Sequence, residues 1–574
     1  MASPGRQASL LSYFAISCLG GIVLMFVLEV PRAPLPRDDI ASLAASLGNN
    51  SEVVWPRPRI SISASIDTLP KSRLQEFAAH LSSALARQGT DAAVEASELI
   101  PVLQDIPLCL AEDGDSELNQ KCLTAIEGYA EATRNADVLD AVAVFRIVVV
   151  PSKTCSALFL DAGTSALLRW SHGEDPKNMA DTVAEKLQAT WFMALALSST
   201  SPIFEISPSY VISFFLVSDC HRRAAWDFPG SVLMPYLRRF LGRLRTLFDM
   251  EMDSQVVQCS ALGGSADSSR EAHEVDVEAL KADFLQNANE WPGDIVTKDS
   301  RWLPPLLRLA AFWPSKTLHV LDESRKRQRA FAVPGWGAVA LVGAGSDEQA
   351  CNVTHVDKAC SLTLADSDDT TAHCRVSKWL PPCEAREAAS SWVSIVRSWL
   401  TLHPEGPSGD ASTSCNKLSL YAARPQLDGI TTWEQLLVAK IVHRMFIQRA
   451  AETLQNVVEL VDSMPDLEIR PEIGDMVGEA AASARRSILK AEEGKLVEAL
   501  QAARHALQLS LTASHDDTVV ATLYFSWQFK WAVYLPLLLP ILVPTLVAIF
   551  RDVKKGWKLR KQKNTAQVEE EEVH

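Results

Sequence analysis

The chain has 574 residues, of which 47% are hydrophobic and 22% charged, and its formal net charge is −15. This composition excludes a disordered or collagen-like chain, and the length leaves room for two or three domains. The negative charge excludes a protein that coats nucleic acid through overall basicity, so we expect no nucleic-acid partner. Eleven cysteines are enough for several disulfide bridges if the compartment is oxidising.

An uncharged run near the N-terminus predicts a first membrane span. Residues 7–28 contain no charged side chain, and about 20 apolar residues suffice to cross the hydrocarbon core. A cleaved signal peptide is the alternative, but its apolar region usually has about 7–15 residues and ends at a small-residue cleavage site. We therefore expect a retained transmembrane helix, preceded by a short cytosolic N-terminus at residues 1–6.

Residues 29–430 show strand patterns that alternate with helix patterns. Period-two alternation over residues 60–66 predicts a half-buried strand, and the apolar runs 142–150 and 210–217 predict buried strands. Apolar residues at helical spacing follow the first of these strands, at Leu74, Phe77, Ala78, Leu81 and Leu85. The alternation predicts an α/β domain with a mostly parallel sheet flanked by helices. The polar stretch 259–300 has little pattern, and we expect it to leave the domain as an excursion.

Motifs that carry chemistry are few. Gly335, Gly337 and Ala340 fit a loose G-x-G-x-x-A pattern, but the residues that follow predict a strand where a dinucleotide site needs a helix. Asp366 and Asp368 match the D-x-D with which sugar-nucleotide transferases hold a divalent metal, although they lie in a longer polar run. We therefore expect no catalytic residue, no cofactor and no metal site.

Cysteine and histidine residues crowd the stretch 351–383, which contains no C-x-x-C pair. A structural zinc site would need four ligands at finger or ribbon spacing. Disulfide bridges in an oxidising compartment are the favoured interpretation, with free thiols and a metal site as the alternatives. The spacing leaves the pairing open.

Residues 431–515 predict a long helical hairpin. Apolar residues recur at helical spacing from 432 to about 463 and again from 474 to about 511, and Pro465 and Pro471 interrupt the pattern between them. Ordinary core packing is the main interpretation of both apolar stripes. A helix that binds a partner is the alternative.

A second uncharged run, residues 531–550, predicts another transmembrane helix. Pro536, Pro540 and Pro544 recur at every fourth position and therefore share one helix face. In a membrane, the carbonyl groups that they free must be satisfied by neighbouring helices, hydroxyl groups or local adjustment. The three prolines are therefore candidates for packing against partner spans, and a kinked span alone in lipid is the alternative.

The residues after this run predict the orientation of the chain. Seven lysine and arginine residues lie between positions 551 and 563, which marks the cytosolic side. Two spans return the chain to one side, so we expect a cytosolic tail at residues 551–574 and a body outside the cytosol. The N-glycosylation sequons at Asn49 and Asn352 both lie within that body.

Several segments resemble the PIG-S family, the class S subunit of the glycosylphosphatidylinositol (GPI) transamidase. The segments TLYF (522–525) and KWAVYLPL (530–537), with Pro540 and Pro544 after them, are similar to the end of that family. Four further stretches resemble it, and they are YLRRFLGRL with the later DSQVV (236–257), VPGWGAVALV (333–342), TTWEQLLVAK (431–440) and GKLVEALQAARHALQLSL (494–511). Ser526 stands where the family commonly has a proline, and the cysteine-rich stretch has no recognisable counterpart.

The resemblance implies a non-catalytic subunit in the membrane of the endoplasmic reticulum. The complex removes a hydrophobic C-terminal signal from a precursor protein and joins the new carboxyl group to the ethanolamine of a GPI lipid. In the family, a cysteine-protease-like subunit supplies this chemistry. The implied partners are that catalytic subunit and the membrane subunits, and the GPI lipid and the precursor are further candidates.

Two alternatives from other classes remain at this point. One is a Golgi-type membrane glycosyltransferase, which rests on Asp366 and Asp368 but does not account for the second span. The other is a membrane-tethered luminal adaptor outside the transamidase, which has the same topology and differs only in its partners.

Overall fold

A computed structural model describes the parts of the chain that follow. They are residues 33–48, 55–64, 70–96, 144–152, 156–160, 163–171, 174–192, 207–219, 224–258, 272–287, 304–314, 317–322, 324–343, 378–402, 418–422, 429–463 and 469–516, together with the helical positions 536, 539–540, 543–544, 547–548, 550–551 and 554–558. The first predicted span, residues 7–28, lies outside the described residues. Within the described residues, no helix combines the length and the apolar character that a bilayer crossing requires.

The regular elements follow one another in mixed order. The helices are α1 (Arg37–Gly48), α2 (Lys71–Arg87), α3 (Pro176–Gln188), a π-helix (Phe228–Leu237), α4 (Arg238–Leu247), α5 (Val277–Asn287), α6 (Pro382–Trp399), α7 (Thr432–Ser463), α8 (Pro471–Glu492) and α9 (Leu496–Ser514). The strands are β1 (Arg59–Ala64), β2 (Ala93–Ala96), β3 (Val144–Ser152), β4 (Ala157–Leu160), β5 (Ser165–Ser171), β6 (Ser209–Ser218), β7 (Ala224–Ala225), β8 (Asp249–Val257), β9 (Ala272–Asp276), β10 (Leu306–Trp313), β11 (Thr317–Leu321), β12 (Arg327–Gln328), β13 (Ala330–Val333), β14 (Gly337–Leu341), β15 (Lys378–Trp379) and β16 (Ser419–Ala422).

The first large sheet has six strands in the order β16-β4-β5-β3-β1-β2. Its pairs are parallel except that of β4 with β5. One face is covered by α2 and α3, and Phe77 of α2 meets Trp170 of β5 edge to face at 4.9 Å. Ile60 and Ile62 of β1 are fully buried under these helices, and each such side chain contributes about 1.5–3 kcal/mol through burial. The predicted amphipathic helix after the first strand is thereby confirmed.

The second large sheet has five strands in the order β13-β14-β10-β6-β8. All its pairs are parallel except that of β13 with β14. The apolar run predicted as a buried strand is β6, which lies in the interior of the sheet and whose side chains are almost all buried. The prediction of a mostly parallel α/β fold is confirmed, with the difference that the strands divide between two large sheets.

The stretch predicted as an excursion instead contributes to this second core. Within it, β9 pairs in parallel with β11, and α5 follows. Phe284 of α5 is fully buried and lies 5.9 Å from the ring of Phe312 and 5.7 Å from that of Trp336. The prediction failed because Val277, Leu280 and Phe284 are too few apolar residues to reveal a helix within a polar stretch.

The region after residue 431 is helical, as predicted, but its second helix is not continuous. A turn separates α8 from α9, and Gly494 adopts a φ of +78° there. The Gly494 N–H donates to Ala491 O and the Lys495 N–H donates to Lys490 O, both at 3.0 Å. A left-handed glycine just past a helix end is a common helix terminator. The expectation of one helix from 474 to 511 was therefore wrong at this glycine.

The chain divides into two compact units, which are described separately. One comprises residues 1–44, 452–481 and 509–574, and the other comprises residues 45–451 and 482–508. In the first unit, Ile40 belongs to a core shared with Leu454 and Ile473.

The same unit holds an ion pair between distant parts of the chain. Arg470 donates to both carboxylate oxygens of the buried Asp516, at 2.9 and 3.0 Å. Because Asp516 is removed from water, this charge-assisted pair offsets the cost of burying its carboxylate.

Candidate functional site

The three prolines predicted to pack against partner spans are helical and exposed. Each of Pro536, Pro540 and Pro544 is in helical conformation, and their spacing of four residues corresponds to one face of a helix. Three large apolar side chains beside them are also exposed, namely Leu539 at 45%, Val543 at 47% and Val547 at 46%. An apolar stripe of this kind marks a surface that meets lipid or protein rather than water.

The segment TTWEQ begins α7 with a capping box. The Glu434 N–H donates to Thr431 Oγ1 at 3.3 Å, and the Thr431 N–H donates to Glu434 Oε2 at 2.8 Å. These reciprocal bonds satisfy backbone groups that the first helical turn leaves without partners. Trp433 between them is 3% exposed and belongs to the core of the first sheet.

Glu434 also forms a buried ion pair with Arg397 of α6. The guanidinium donates to the two carboxylate oxygens at 2.6 and 3.0 Å, and it donates to Gly429 O at 2.6 Å. Both side chains are 2% exposed. A buried pair is tolerated only when its remaining hydrogen-bonding capacity is satisfied, and here the carbonyl of Gly429 and the N–H of Thr431 contribute.

Gln435 connects the same helix start to α4. Its side-chain amide donates to Thr246 Oγ1 at 2.7 Å and to Arg243 O at 3.3 Å, and Arg243 donates to Gln435 Oε1 at 3.3 Å. Three consecutive residues of this segment thus contact the first sheet, α6 and α4. The segment holds the parts of this unit together and contains no reactive arrangement.

The segment VPGWGAVALV forms the turn between β13 and β14 and the second of these strands. Gly337 lies so close to β10 that a Cβ atom built on it would be 1.9 Å from Arg308 O. The Trp336 ring is buried in the second core, and the Arg308 guanidinium lies 5.9 Å from its centroid. A strand follows Gly337, so the structure confirms that the loose G-x-G-x-x-A pattern is not the strand-turn-helix of a dinucleotide site.

His443 is a buried titratable group in the second unit. Ser487 Oγ donates to Ala499 O at 2.6 Å, so the 2.8 Å contact with His443 requires the ring Nε2–H to donate to Ser487 Oγ. The ring also meets Trp55 edge to face at 5.0 Å. Burial lowers the pKa of His443 to about 4, and its hydrogen bond with Ser487 opposes this shift. His443 is therefore neutral at pH 7 and fastens α7, α8 and α9 to one another.

Several residues singled out from the sequence lie outside the described part of the chain. They are the sequon asparagines Asn49 and Asn352, the D-x-D pair Asp366 and Asp368, and the cysteines between 351 and 374. Cys383 at the start of α6 is described and is disulfide-bonded, which agrees with the favoured interpretation of this stretch. Among the residues that the structure describes, no cluster of three or more His, Cys, Asp or Glu side chains could hold a metal ion.

Comparison with known families identifies the chain. The sequence profile described as phosphatidylinositol-glycan biosynthesis class S protein, PIG-S, matches residues 12–558. The chain belongs to the PIG-S family. No curated protein matches it at a significant level.

Family membership defines the role at the level of the complex. PIG-S is a non-catalytic subunit of GPI transamidase, so this chain acts in GPI-anchor attachment in the endoplasmic reticulum membrane and has other transamidase subunits as partners. The glycosyltransferase and adaptor alternatives are therefore rejected. The TTWEQ and VPGWG segments, which carried the resemblance, are packing elements of the fold.

The residues that organise these elements were not predicted from the sequence. The capping box follows the recognisable pattern T-x-x-E and could have been found. The pairs Arg397–Glu434 and His443–Ser487 join residues 37 and 44 positions apart, and no local pattern indicates them.

Proposed function

We propose that this PIG-S chain is a luminal scaffold held by two transmembrane helices, at residues 7–28 and 531–550, with both termini in the cytosol. The luminal body then comprises an α/β domain, residues 29–430, and a helical region, residues 431–515. The uncharged runs and the basic residues 551–563 support this topology.

The exposed proline face carries the proposal. Pro536, Pro540 and Pro544 pack against the spans of other subunits, because neighbouring helices can satisfy the carbonyl groups that the prolines free. The helical region docks on another subunit near the membrane. The cysteine-protease-like catalytic subunit and the membrane subunits are the proposed neighbours, and the GPI lipid and the precursor protein are candidates for direct contact.

Depletion of the protein in its own cell tests the role. Surface GPI-anchored reporters are counted by flow cytometry, and complete GPI lipid is followed by metabolic labelling. We expect the surface reporter to fall while uncleaved precursor and complete GPI lipid accumulate, and re-expression of the chain to reverse all three effects. Normal anchoring after depletion would reject the proposal.

Glycosylation tests the topology separately. Asn49→Gln and Asn352→Gln remove the two sequons one at a time, and each is expected to abolish one step of the mobility shift caused by an N-glycosidase. If the mobility of the chain never responds to the enzyme, the sequons give no support to a luminal body. Protease protection of the body in sealed microsomes then tests the topology: a protected body supports the luminal placement and a digested body rejects it.

A further inference from the structure

Strand β8 lies at the edge of the second large sheet. It pairs with β6 over its full length, from Asp249 to Val257, and no described strand pairs with its other side. β8 has nine residues, whereas native edge strands are often kept short. The unpaired side of such a strand presents a row of backbone N–H and C=O groups that can hydrogen-bond to an added strand.

The hydrogen-bond register shows which groups face that open side. The Asp249 N–H donates to Pro208 O at 2.9 Å, and β6 and β8 are parallel. Backbone groups alternate along a strand, so the odd-numbered residues of β8 turn theirs toward β6. Met250, Met252, Ser254 and Val256 therefore direct their N–H and C=O groups outward. Between described residues, no backbone hydrogen bond reaches these outward groups.

The side chains of β8 restrict what can pair with it. Asp249 and Glu251 are exposed, Asp253 is half-buried, and all three point to the same face of the strand. No basic side chain in the described part of the chain forms a salt bridge with them. Like charges directly opposite one another destabilise a strand pair, so this edge disfavours a second copy of itself and favours a basic partner.

The edge also carries an apolar anchor on its other face. Val256 is 40% exposed near the end of β8. An added strand supplies main-chain hydrogen bonds for affinity and alternate side chains for specificity. The partner strand is therefore expected to carry basic residues opposite the acidic positions of β8 and an apolar residue near Val256.

We propose that β8 binds an extended segment of another transamidase subunit, which carries lysine or arginine at alternate positions and adds a strand to the second sheet. This inference rests on the proposed luminal placement of the body, because the partner segment must lie in the same compartment.

A proline substitution on β8 tests the proposal in the full chain. Ser254→Pro removes one outward N–H and places the proline ring on the open side, which an edge strand tolerates because no bond to β6 is lost. Ser254→Ala is the matched control, since it removes the hydroxyl group and keeps the N–H. We expect Ser254→Pro to lower co-recovery of at least one subunit about tenfold, the effect of losing a main-chain bond and adding a clash, and Ser254→Ala to leave it unchanged.

Folding of the variant is checked before recovery is interpreted. Ser254→Pro and the wild-type chain are compared by thermal unfolding and by trypsin digestion in detergent. If Ser254→Pro unfolds, the double variant Asp249→Asn with Glu251→Gln tests the proposal instead, because it keeps every backbone group and removes two charges. This double variant is expected to weaken recovery at low salt and to match the wild-type chain at high salt, where screening removes the attraction.

A photo-crosslinking residue at Val256 identifies the partner, and the same residue at Leu489, which is 59% exposed on α8, is the control. We expect a crosslink from position 256 to another transamidase subunit, lost in combination with Ser254→Pro. A crosslink only to a second copy, or full recovery with a folded Ser254→Pro chain, overturns the proposal. Either result leaves the depletion experiment unaffected, so failure of the edge and failure of the luminal scaffold are distinguishable.

Discussion

Gly337 is the residue at which the second sheet leaves no room for a side chain. Its φ is +154°, and a Cβ atom there would meet the backbone of Arg308. Only glycine adopts this conformation at no steric cost, and backbone atoms cannot move aside as the end of a flexible side chain can.

We therefore predict that Gly337→Ala lowers the free energy of unfolding by about 3 kcal/mol through strain and displacement of β10. Gly242→Ala is the control, because a Cβ atom on this α4 residue meets no atom within 4 Å, and alanine in a helix is about 0.5–1 kcal/mol better than glycine. Denaturant unfolding of the purified full chain in detergent measures both. Equal stability of the two variants would contradict the close approach.

His443 makes the stability of its unit depend on pH. Because its folded-state pKa is about 4 and an unfolded histidine has a pKa of about 6.5, the unfolded chain binds a proton first as the pH falls. Stability is unaffected above about pH 6.5, is lost between about 6.5 and 4, and changes no further below 4, with a total loss on the order of 3 kcal/mol.

His443→Gln is expected to remove this contribution while other groups still titrate. Thermal unfolding of the two chains between pH 4 and 8 should show a shallower decline for the variant. A decline of the same steepness in both chains would show that folding does not lower the pKa of His443.

At the scale of elements, the start of α7 connects three parts of the second unit through consecutive side chains. The pair of Arg397 and Glu434 is the buried part of this junction. Removing one member leaves the other charge buried without its partner, which costs more than the pair contributes.

We predict that Glu434→Gln or Arg397→Met alone lowers the free energy of unfolding by about 3–5 kcal/mol. The double variant Arg397→Met with Glu434→Gln should cost less than the sum of the two single variants, since no uncompensated charge remains. A double-mutant cycle from denaturant unfolding gives the coupling, and additive costs would mean that the two side chains do not interact.

At the scale of the whole molecule, the C-terminal proline face should matter for assembly more than for folding of the body. Replacing Pro536, Pro540 and Pro544 by leucine restores the backbone N–H groups that proline lacks, so the carbonyl groups one turn earlier no longer need partners from neighbouring helices. We predict lower co-recovery of the other subunits in mild detergent. Val543→Leu, which keeps an exposed apolar residue on the same helix, should recover normally.

Thermal unfolding of the triple variant should match that of the wild-type chain, because the prolines lie outside the two sheets. Undiminished recovery of the complex would remove the packing proposal and favour a kinked span alone in lipid.

The local elements with strong periodicity could be predicted from the amino-acid sequence. β6 was predictable because a continuous apolar run suits a strand buried on both faces, and α2 was predictable because its apolar residues recur at helical spacing. β3 was predictable as a strand, but the expectation that it is buried on both faces was wrong at its start, where Val144 and Arg146 are exposed. The segment resemblance also determined the family, which the match over residues 12–558 confirms.

How these elements combine could be learned only from the folded structure. The division of the strands between two sheets, the burial of α5 and the pairing of Arg397 with Glu434 all depend on contacts between residues far apart in the chain. The position of β8 at the edge of the second sheet, among the strands that the structure describes, likewise follows only from its pairing with β6. Periodicity reports which face of an element is buried, because a side chain's direction is set locally. It does not show which other element that face packs against. That choice depends on contacts between distant parts of the chain, and the most stable of the many possible arrangements is selected by the whole chain.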